Sequence, residues 1–293
     1  MMNTPVKVAS VNSKAGTLIV AAGGLAAAGL LIVIAPALIA LVGMGEMGAS
    51  AGEALFTLAI FGPLLALAVV CGGLTGCAPF HLGSRPAARA VQGAAIGLGG
   101  LLLAVGYAVV AGTLMHGDGA HWSVASLTLG ALLVLIQVGA EEAFFRGWLQ
   151  PLIASAWSLS LTVPAVAMSF AVLHFVGGVR GPIELANLFL GGLLFGLLTV
   201  RGKGIAGAIG AHLTWNSVEQ LGLGLDPNPG TGTFGTLLDY DLVGKSMWGG
   251  SDAGLNASVA MTISLLALLV PLALMASKSV HLAFNDSVGS RRL

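Results

Sequence analysis

The sequence predicts an all-α fold, a polytopic transmembrane helical bundle of about eight spans. Of the 293 residues, 56% are hydrophobic and 8% are charged, which leaves too little polar surface for a water-soluble domain. Apolar runs of about 18 or more residues, enough to cross a hydrocarbon core as helix, recur along the chain. These runs are unbroken rather than alternating, which favours helices over a closed β-barrel.

The apolar runs place the spans in order along the chain. The first run follows a polar lead and is too long for the apolar core of a signal peptide, so it is expected to be retained. The fourth, fifth and seventh runs carry polar or ionisable groups away from their ends. The predicted spans are residues 17–43, 53–76, 88–115, 122–155, 158–179, 182–200, 204–222 and 255–277.

One integral membrane domain, covering residues 1–293, is predicted. The longest polar connection, about residues 223–253, joins the last two spans and does not separate two cores. With eight spans, most basic residues fall on one side and most acidic residues on the other, so the positive-inside rule predicts that both termini are cytoplasmic. The predicted cytoplasmic basic residues are Lys7, Lys14, Arg85, Arg89, Arg201, Lys203, Lys278, Arg291 and Arg292.

Polar residues inside the spans indicate a functional site. A charge at mid-bilayer costs a few kcal/mol even on the lenient insertion scale, so such residues are kept for a purpose. The residues concerned are Gln137, Glu141, Glu142 and Arg146 in the fourth span, His174 in the fifth, and His212, Asn216 and Glu219 in the seventh.

Helix geometry separates the charged residues of the fourth span into one pair and one single glutamate. Glu142 and Arg146 are four residues apart and can pair on one helix face, either as a packing pair or as support for a site. Glu141 is rotated by about 100° from Glu142, so one salt bridge cannot easily use both carboxylates. Glu141 is therefore predicted to be protonated or to have another partner.

The fifth and seventh spans add two imidazoles and an amide. His174 follows Phe170 by four residues, and Asn216 follows His212 by four, so each pair shares a helix face. A single histidine in an apolar helix is more often a packing residue than a catalytic one. Together with Glu141, however, these side chains predict a shared site near the bilayer middle.

Two versions of one chemistry use these residues. A glutamate can activate water for attack on a carbonyl, while His or Asn donates to the developing oxyanion. Alternatively, the histidines could hold a divalent metal such as zinc, with the carboxylate as ligand or base. The H-E-x-x-H segment of zinc proteases is absent from the sequence, and no serine stands out as a nucleophile.

Three segments resemble a known family of membrane peptidases. "EEAFFR", "FAVLH" and "HLTWN" resemble the E-E-x-x-x-R, F-x-x-x-H and H-x-x-x-N signatures of the CPBP family, the CAAX proteases and bacteriocin-processing enzymes, also called Abi. The resemblance covers about residues 125–225. It implies an intramembrane endopeptidase of a bacterial plasma membrane, with a peptide or membrane-protein substrate in the lipid bilayer and no nucleic acid as partner.

The resemblance also implies roles for individual residues. Glu141 would be the general base, His174 would assist at the same water or a metal, and His212 and Asn216 would stabilise the oxyanion. If a metal is used, His174 and His212 would be its ligands. Glu142 and Arg146 match the remaining motif positions and are expected to support the site.

Two other functions use the same polar cluster. The first is a non-catalytic membrane protein that binds a peptide or lipid, as an immunity protein or scaffold would. The second is a proton-coupled transporter with Glu141 and His174 as a proton relay. The residues do not identify the substrate in any of the three cases.

Overall fold

The computed structural model describes residues 13–41, 48–227 and 232–289, with side chains as far as Leu274. Six of its helices are long and apolar enough to cross a membrane. This confirms the predicted polytopic helical bundle and makes the chain an integral membrane protein. The predicted cytoplasmic residues Lys7, Arg291 and Arg292 lie outside the described residues, as does the side chain of Lys278.

Each predicted span coincides with a helix. The helices are α1 Lys14–Leu41, α2 Ala49–Thr75, α3 Pro86–Ala111, α4 Val124–Glu142, α5 Gln150–Ala154, α6 Leu159–Val176, α7 Pro182–Gly202, α8 Ala206–Ser217 and α9 Val259–Gly289. α4 continues through π-helical turns, Ala143–Leu149, directly into α5, so these three segments form one span. α8 and α9 are not among the six spanning helices, although α8 continues in π-helical turns to Leu223 and Val259–Leu274 of α9 is apolar.

The third span ends earlier than the apolar run predicts. Gly112 has φ 71° and its N–H bonds back to the carbonyls of Ala108 and Val109, which ends α3 with a residue suited to positive φ. The chain then forms β1 (Leu114–His116), which pairs antiparallel with β3 (Tyr240–Leu242), and β3 pairs in parallel with β2 (Leu225–Asp226). This small sheet lies in the loops and is an addition to the predicted all-α fold.

Glycines bring α8 close to its neighbours. A Cβ on Gly210 would lie 2.1 Å from the Ala90 carbonyl oxygen, and one on Gly97 of α3 would lie 2.2 Å from the Ala211 oxygen. Only glycine permits such an approach between helix backbones. Because Ala211 precedes His212, this packing also sets the position of the histidine.

The two ends of the bundle carry opposite charge. The basic residues Arg85, Arg89, Arg201 and Lys203 lie in the α2–α3 and α7–α8 connections or in the helix turns next to them. These connections touch where Ser84 N–H donates to the Gly202 oxygen at 3.1 Å. The small sheet, with Asp226 and Asp241, lies among the opposite connections. The separation of charge along the bundle thus agrees with the sequence pattern, while the cytoplasmic location of the basic end stays a prediction.

Candidate active site

The two adjacent glutamates are the last two residues of α4. The π-helical turns that follow are buried at every position from Ala143 to Leu149. One of them, Gly147, faces the backbone of Pro79 so closely that a Cβ would lie 1.9 Å from its oxygen. π-Helical turns occur often at functional sites because they re-aim side chains within a helix.

Glu142 joins two helices through a buried charge network. Its Oε1 accepts from Arg146 Nη1 at 3.2 Å and from His212 Nδ1 at 2.9 Å. Glu142 and the Arg146 side chain are wholly buried. The pairing of Glu142 with Arg146 agrees with the four-residue spacing, and His212 is a third member that the spacing does not predict.

The Arg146 guanidinium is held on several sides. Its Nη2 donates to the Gly192 carbonyl oxygen of α7 at 3.3 Å, and it lies over the rings of Phe170 and Phe195 at 4.7 and 5.3 Å from their centroids. Cation–π contacts of this kind strengthen when water is excluded. Arg146 therefore contacts α6 and α7 as well as its own helix.

Glu141 points to the other side of the same imidazole. Its Oε2 lies 3.6 Å from His212 Nε2, and the residue is 4% exposed. Arg146 pairs with Glu142 and not with Glu141, in agreement with the rotation of about 100° between neighbouring helix positions. The two glutamates thus flank the two nitrogens of one ring.

His212 has a defined proton on one nitrogen. The Glu142 carboxylate is an acceptor, so Nδ1 carries hydrogen and donates to it. The ring is also stacked on Phe195, with 4.5 Å between centroids and 16° between planes. The ring is therefore held in place, with Nε2 on the side of Glu141.

His174 lies near the end of α6 in a similar arrangement. Its Nδ1 is 2.8 Å from the Phe170 carbonyl oxygen, which can only accept, so Nδ1 donates and Nε2 stays available. The ring packs on Phe170 with 4.4 Å between centroids. The predicted shared face of these two residues is therefore present.

A cavity of about 380 Å³ brings the predicted site residues together. Glu141, His174, His212 and Asn216 all line it. Asn216 is half-buried, one turn after His212 on α8, where the helix passes into π-helical turns. Four side chains from three helices thus line one cavity.

The cavity also contains carboxylates to which the sequence analysis assigned no role. Glu219, Glu184 and Glu53 line it, as does Gln137. Glu219 follows Asn216 by three residues on one helix face, which is a pattern that could have identified it. Glu184 lies in the first turn of α7 and Glu53 is the fifth residue of α2, and an acidic residue near a helix N-terminus is ordinary and gives no such indication.

The described residues do not form a three-ligand metal site at this cavity. Three His, Cys, Asp or Glu ligand atoms lie within 4.8 Å of one another only at Asp226, Asp239 and Asp241 in the described part of the chain. The atoms of Glu141, His174 and His212 therefore stand further apart than one ion would require.

Comparison with known proteins agrees with the three motifs. The family model for type II CAAX prenyl endopeptidase Rce1-like proteins matches residues 122–218, roughly one third of the chain. The match spans Glu141, His174, His212 and Asn216, and it confirms the resemblance to the CAAX protease family. No curated protein and no solved structure matches the chain.

Proposed function

Starting from this family match, we propose that the protein is an intramembrane endopeptidase that hydrolyses peptide bonds with water activated by Glu141. The observation that carries the proposal is the position of Glu141 Oε2, 3.6 Å from His212 Nε2, at the wall of the cavity. A carboxylate and an imidazole so placed can act on a water and a carbonyl lying between them. The matched family is a protease family, which supports the assignment.

Glu141 acts as the general base. It takes a proton from a water molecule while the oxygen of that water attacks the carbonyl carbon of the substrate. The tetrahedral intermediate collapses with breakage of the carbon–nitrogen bond, and the proton held by Glu141 passes to the leaving amine. The products are a carboxylate and an amine, and no covalent bond to the protein forms.

His212 and Asn216 stabilise the oxyanion. Because Nδ1 of His212 is committed to Glu142, a protonated ring donates from Nε2 into the cavity. The Asn216 amide supplies a second donor. Hydrogen-bond donors that are already in position stabilise the oxyanion more than water does, because they need not reorient during the reaction.

His174 orients the attacking water. Its Nδ1–H is bound to the Phe170 carbonyl, so a neutral ring presents the Nε2 lone pair as an acceptor. A water that donates one hydrogen to Glu141 and the other to His174 has its lone pair directed at the carbonyl. His174 thus assists without itself removing the proton.

Glu142 and Arg146 position these groups rather than react. Glu142 holds the tautomer and orientation of His212, and Arg146 neutralises Glu142 and fixes it against α7. This arrangement has the logic of an acidic residue that orients a catalytic histidine. The two buried residues support the proposal by explaining why a second glutamate is adjacent to the base.

The remaining helices complete one functional unit. α1, α2 and α9 contribute apolar side chains to the cavity, including Pro36, Phe61 and Leu265. We therefore propose a single domain over residues 1–293, with residues 125–225 holding the reacting groups and the outer helices shaping the space around the substrate.

The Glu141→Gln variant tests the proposal. The purified full-length protein in nanodiscs is incubated with a pool of synthetic peptides, some with a farnesylated C-terminal cysteine, and new termini are read by mass spectrometry. Wild type should release defined fragments, and the variant should lose about 10²–10⁴-fold in rate because it lacks the base. Thermal unfolding of the variant should stay within a few degrees of wild type.

The matched control is Asp118→Asn, which removes an exposed acidic charge far from the reacting groups in sequence. It should cleave as wild type does. A Glu141→Gln protein with unchanged turnover would end the general-base assignment. A wild type that cleaves nothing, yet moves a solute in response to a pH gradient, would favour the transport hypothesis.

A further inference from the structure

A second cavity lies at the basic end of the bundle. Its volume is about 300 Å³, and it shares no lining residue with the cavity of the candidate active site. Residues of α3, α7, α8 and α9 line it. The proposed peptidase chemistry gives this cavity no function, so the side chains that line it need a separate explanation.

Two arginines line this second cavity. Arg89 is the fourth residue of α3 and Arg201 lies in the last turn of α7, and both are half-buried. No Asp or Glu among the described residues lines the cavity, and neither arginine forms an ion pair with a described residue. Arg89 Nη1 donates to Gln92 Oε1 at 2.9 Å, which uses one of the five N–H groups of a guanidinium. The two positive charges therefore favour an anion at this site.

The rest of the second cavity is apolar and extends away from the basic end. Ile96 of α3 lies seven residues after Arg89, which is about 10 Å further along the helix. Leu198 precedes Arg201 by about one turn of α7, and α9 contributes Leu268. The cavity thus has charged groups at the ends of the helices and apolar groups further in, which matches the headgroup and chain of a lipid.

The second cavity is open on its outer side. At its base the backbones of α3 and α8 touch, since a Cβ on Gly93 would lie 2.0 Å from the Gly207 oxygen. Gln92, Ala267 and Pro271 are exposed, so the described chain does not cover the cavity there. Because α3 and α7 are spanning helices, the surroundings of this side are lipid. A lipid can therefore enter from the bilayer without passing through the candidate active site.

We propose that this second cavity binds an anionic phospholipid from the bilayer. The phosphate lies between Arg89 and Arg201, where charge-assisted hydrogen bonds from two guanidinium groups are strong, and one acyl chain follows the apolar walls. Basic pockets between transmembrane helices bind anionic headgroups in this way. Phosphatidylcholine fits less well because its own cation meets two arginines, and a soluble phosphate leaves the apolar walls uncovered.

The experiment measures lipid binding to the purified full-length protein in detergent micelles. Phosphatidylglycerol and phosphatidylcholine with identical acyl chains are titrated separately, and native mass spectrometry counts the lipids that each protein molecule retains. Wild type should bind one phosphatidylglycerol with a Kd about tenfold to thirtyfold below that for phosphatidylcholine. Its thermal unfolding temperature should rise more with phosphatidylglycerol, since a ligand that binds the folded state stabilises it. Equal affinity for the two lipids would overturn the inference.

Matched double variants test the two arginines. Arg89→Gln/Arg201→Gln should bring the ratio of the two Kd values close to one. Arg85→Gln/Lys203→Gln removes the same number of charges from the same end, but these exposed residues do not line the cavity, so the ratio should stay as in wild type. An equal loss in both double variants would overturn the inference, because it would assign the preference to the basic end as a whole.

A second pair of variants tests the apolar part without changing charge. Ala267→Trp places a large side chain in the cavity and should weaken phosphatidylglycerol binding by about tenfold, because it displaces part of the acyl chain. Ala273→Trp, also exposed on α9 but outside the cavity, should bind as wild type does. Equal binding by the two tryptophan variants would overturn the inference. So would displacement of the lipid by soluble glycerol 1-phosphate at the concentration of the lipid itself, which would indicate a site for a free anion.

Discussion

The two sides of His212 are built differently. On the Nδ1 side, Glu142 and Arg146 are wholly buried and joined by a hydrogen bond of 3.2 Å, and Arg146 packs against Phe170 and Phe195. On the Nε2 side, Glu141 and Asn216 face a cavity of about 380 Å³. The closed side holds the ring still and the open side leaves room for a substrate. Two adjacent glutamates can therefore have opposite functions because each meets a different face of one imidazole.

The largest expected effect is on the closed side. Arg146→Met should lower the free energy of unfolding by about 3–5 kcal/mol, because it leaves the Glu142 charge buried without its partner. Denaturant titration in detergent measures this. The double variant Glu142→Gln/Arg146→Met should recover much of the loss, and Arg201→Met at the half-buried basic end should cost far less. Equal losses for Arg146→Met and Arg201→Met would show that the buried pair on the closed side contributes no more to stability than a surface charge does.

The second largest effect is expected on the open side, where the catalytic rate should fall without a loss of substrate binding. Asn216→Ala should reduce kcat by about 10²–10³-fold with little change in KM, because it removes an oxyanion donor and no packing. Steady-state cleavage of the best peptide found in the nanodisc screen measures both constants. Ser217→Ala, the next residue on the same helix, should behave as wild type. A loss confined to KM would assign Asn216 to substrate binding instead.

The close packing of α3 against α8 sets the position of His212, and so it affects both the closed and the open side of the ring. Gly97→Val should destabilise the protein by about 1–3 kcal/mol and displace His212, since its Cβ would lie 2.2 Å from the Ala211 oxygen. Gly99→Val is the matched control, because a Cβ there has no neighbour within 4 Å among the described residues. Both variants put valine into one helix, so equal unfolding free energies would refute the close-approach argument.

The smallest effect is expected at the cavity wall. Gln137 lines the cavity one turn before Glu141, but the proposed reaction gives it no proton or charge to handle. Gln137→Leu should therefore stay within about 0.5 kcal/mol in unfolding free energy and about threefold in kcat/KM. A larger fall in kcat would add Gln137 to the catalytic groups on the open side.

Local periodicity accounts for what the sequence predicted well. The unbroken apolar runs predicted the helices, and the spacing of Glu142 with Arg146 and of Phe170 with His174 predicted contacts that the structure contains. The span after residue 88 was predicted to run to 115, and it ends at Ala111 because Gly112 adopts positive φ and β1 follows. The average hydrophobicity of a stretch of sequence does not reveal a turn at a single glycine. It also does not reveal a strand whose partner lies more than a hundred positions away.

The sequence by itself determined the membrane-spanning helices, the motifs and the helix face on which each polar side chain lies, because these follow from hydrophobicity and a period of 3.6 residues. Only the tertiary structure decided that Glu141 and Glu142 meet the two nitrogens of the same ring, and that Glu53, Glu184 and Glu219 share a cavity with them. Those contacts join residues up to 166 positions apart. They depend on how closely the helices approach at their glycines, which no local pattern specifies.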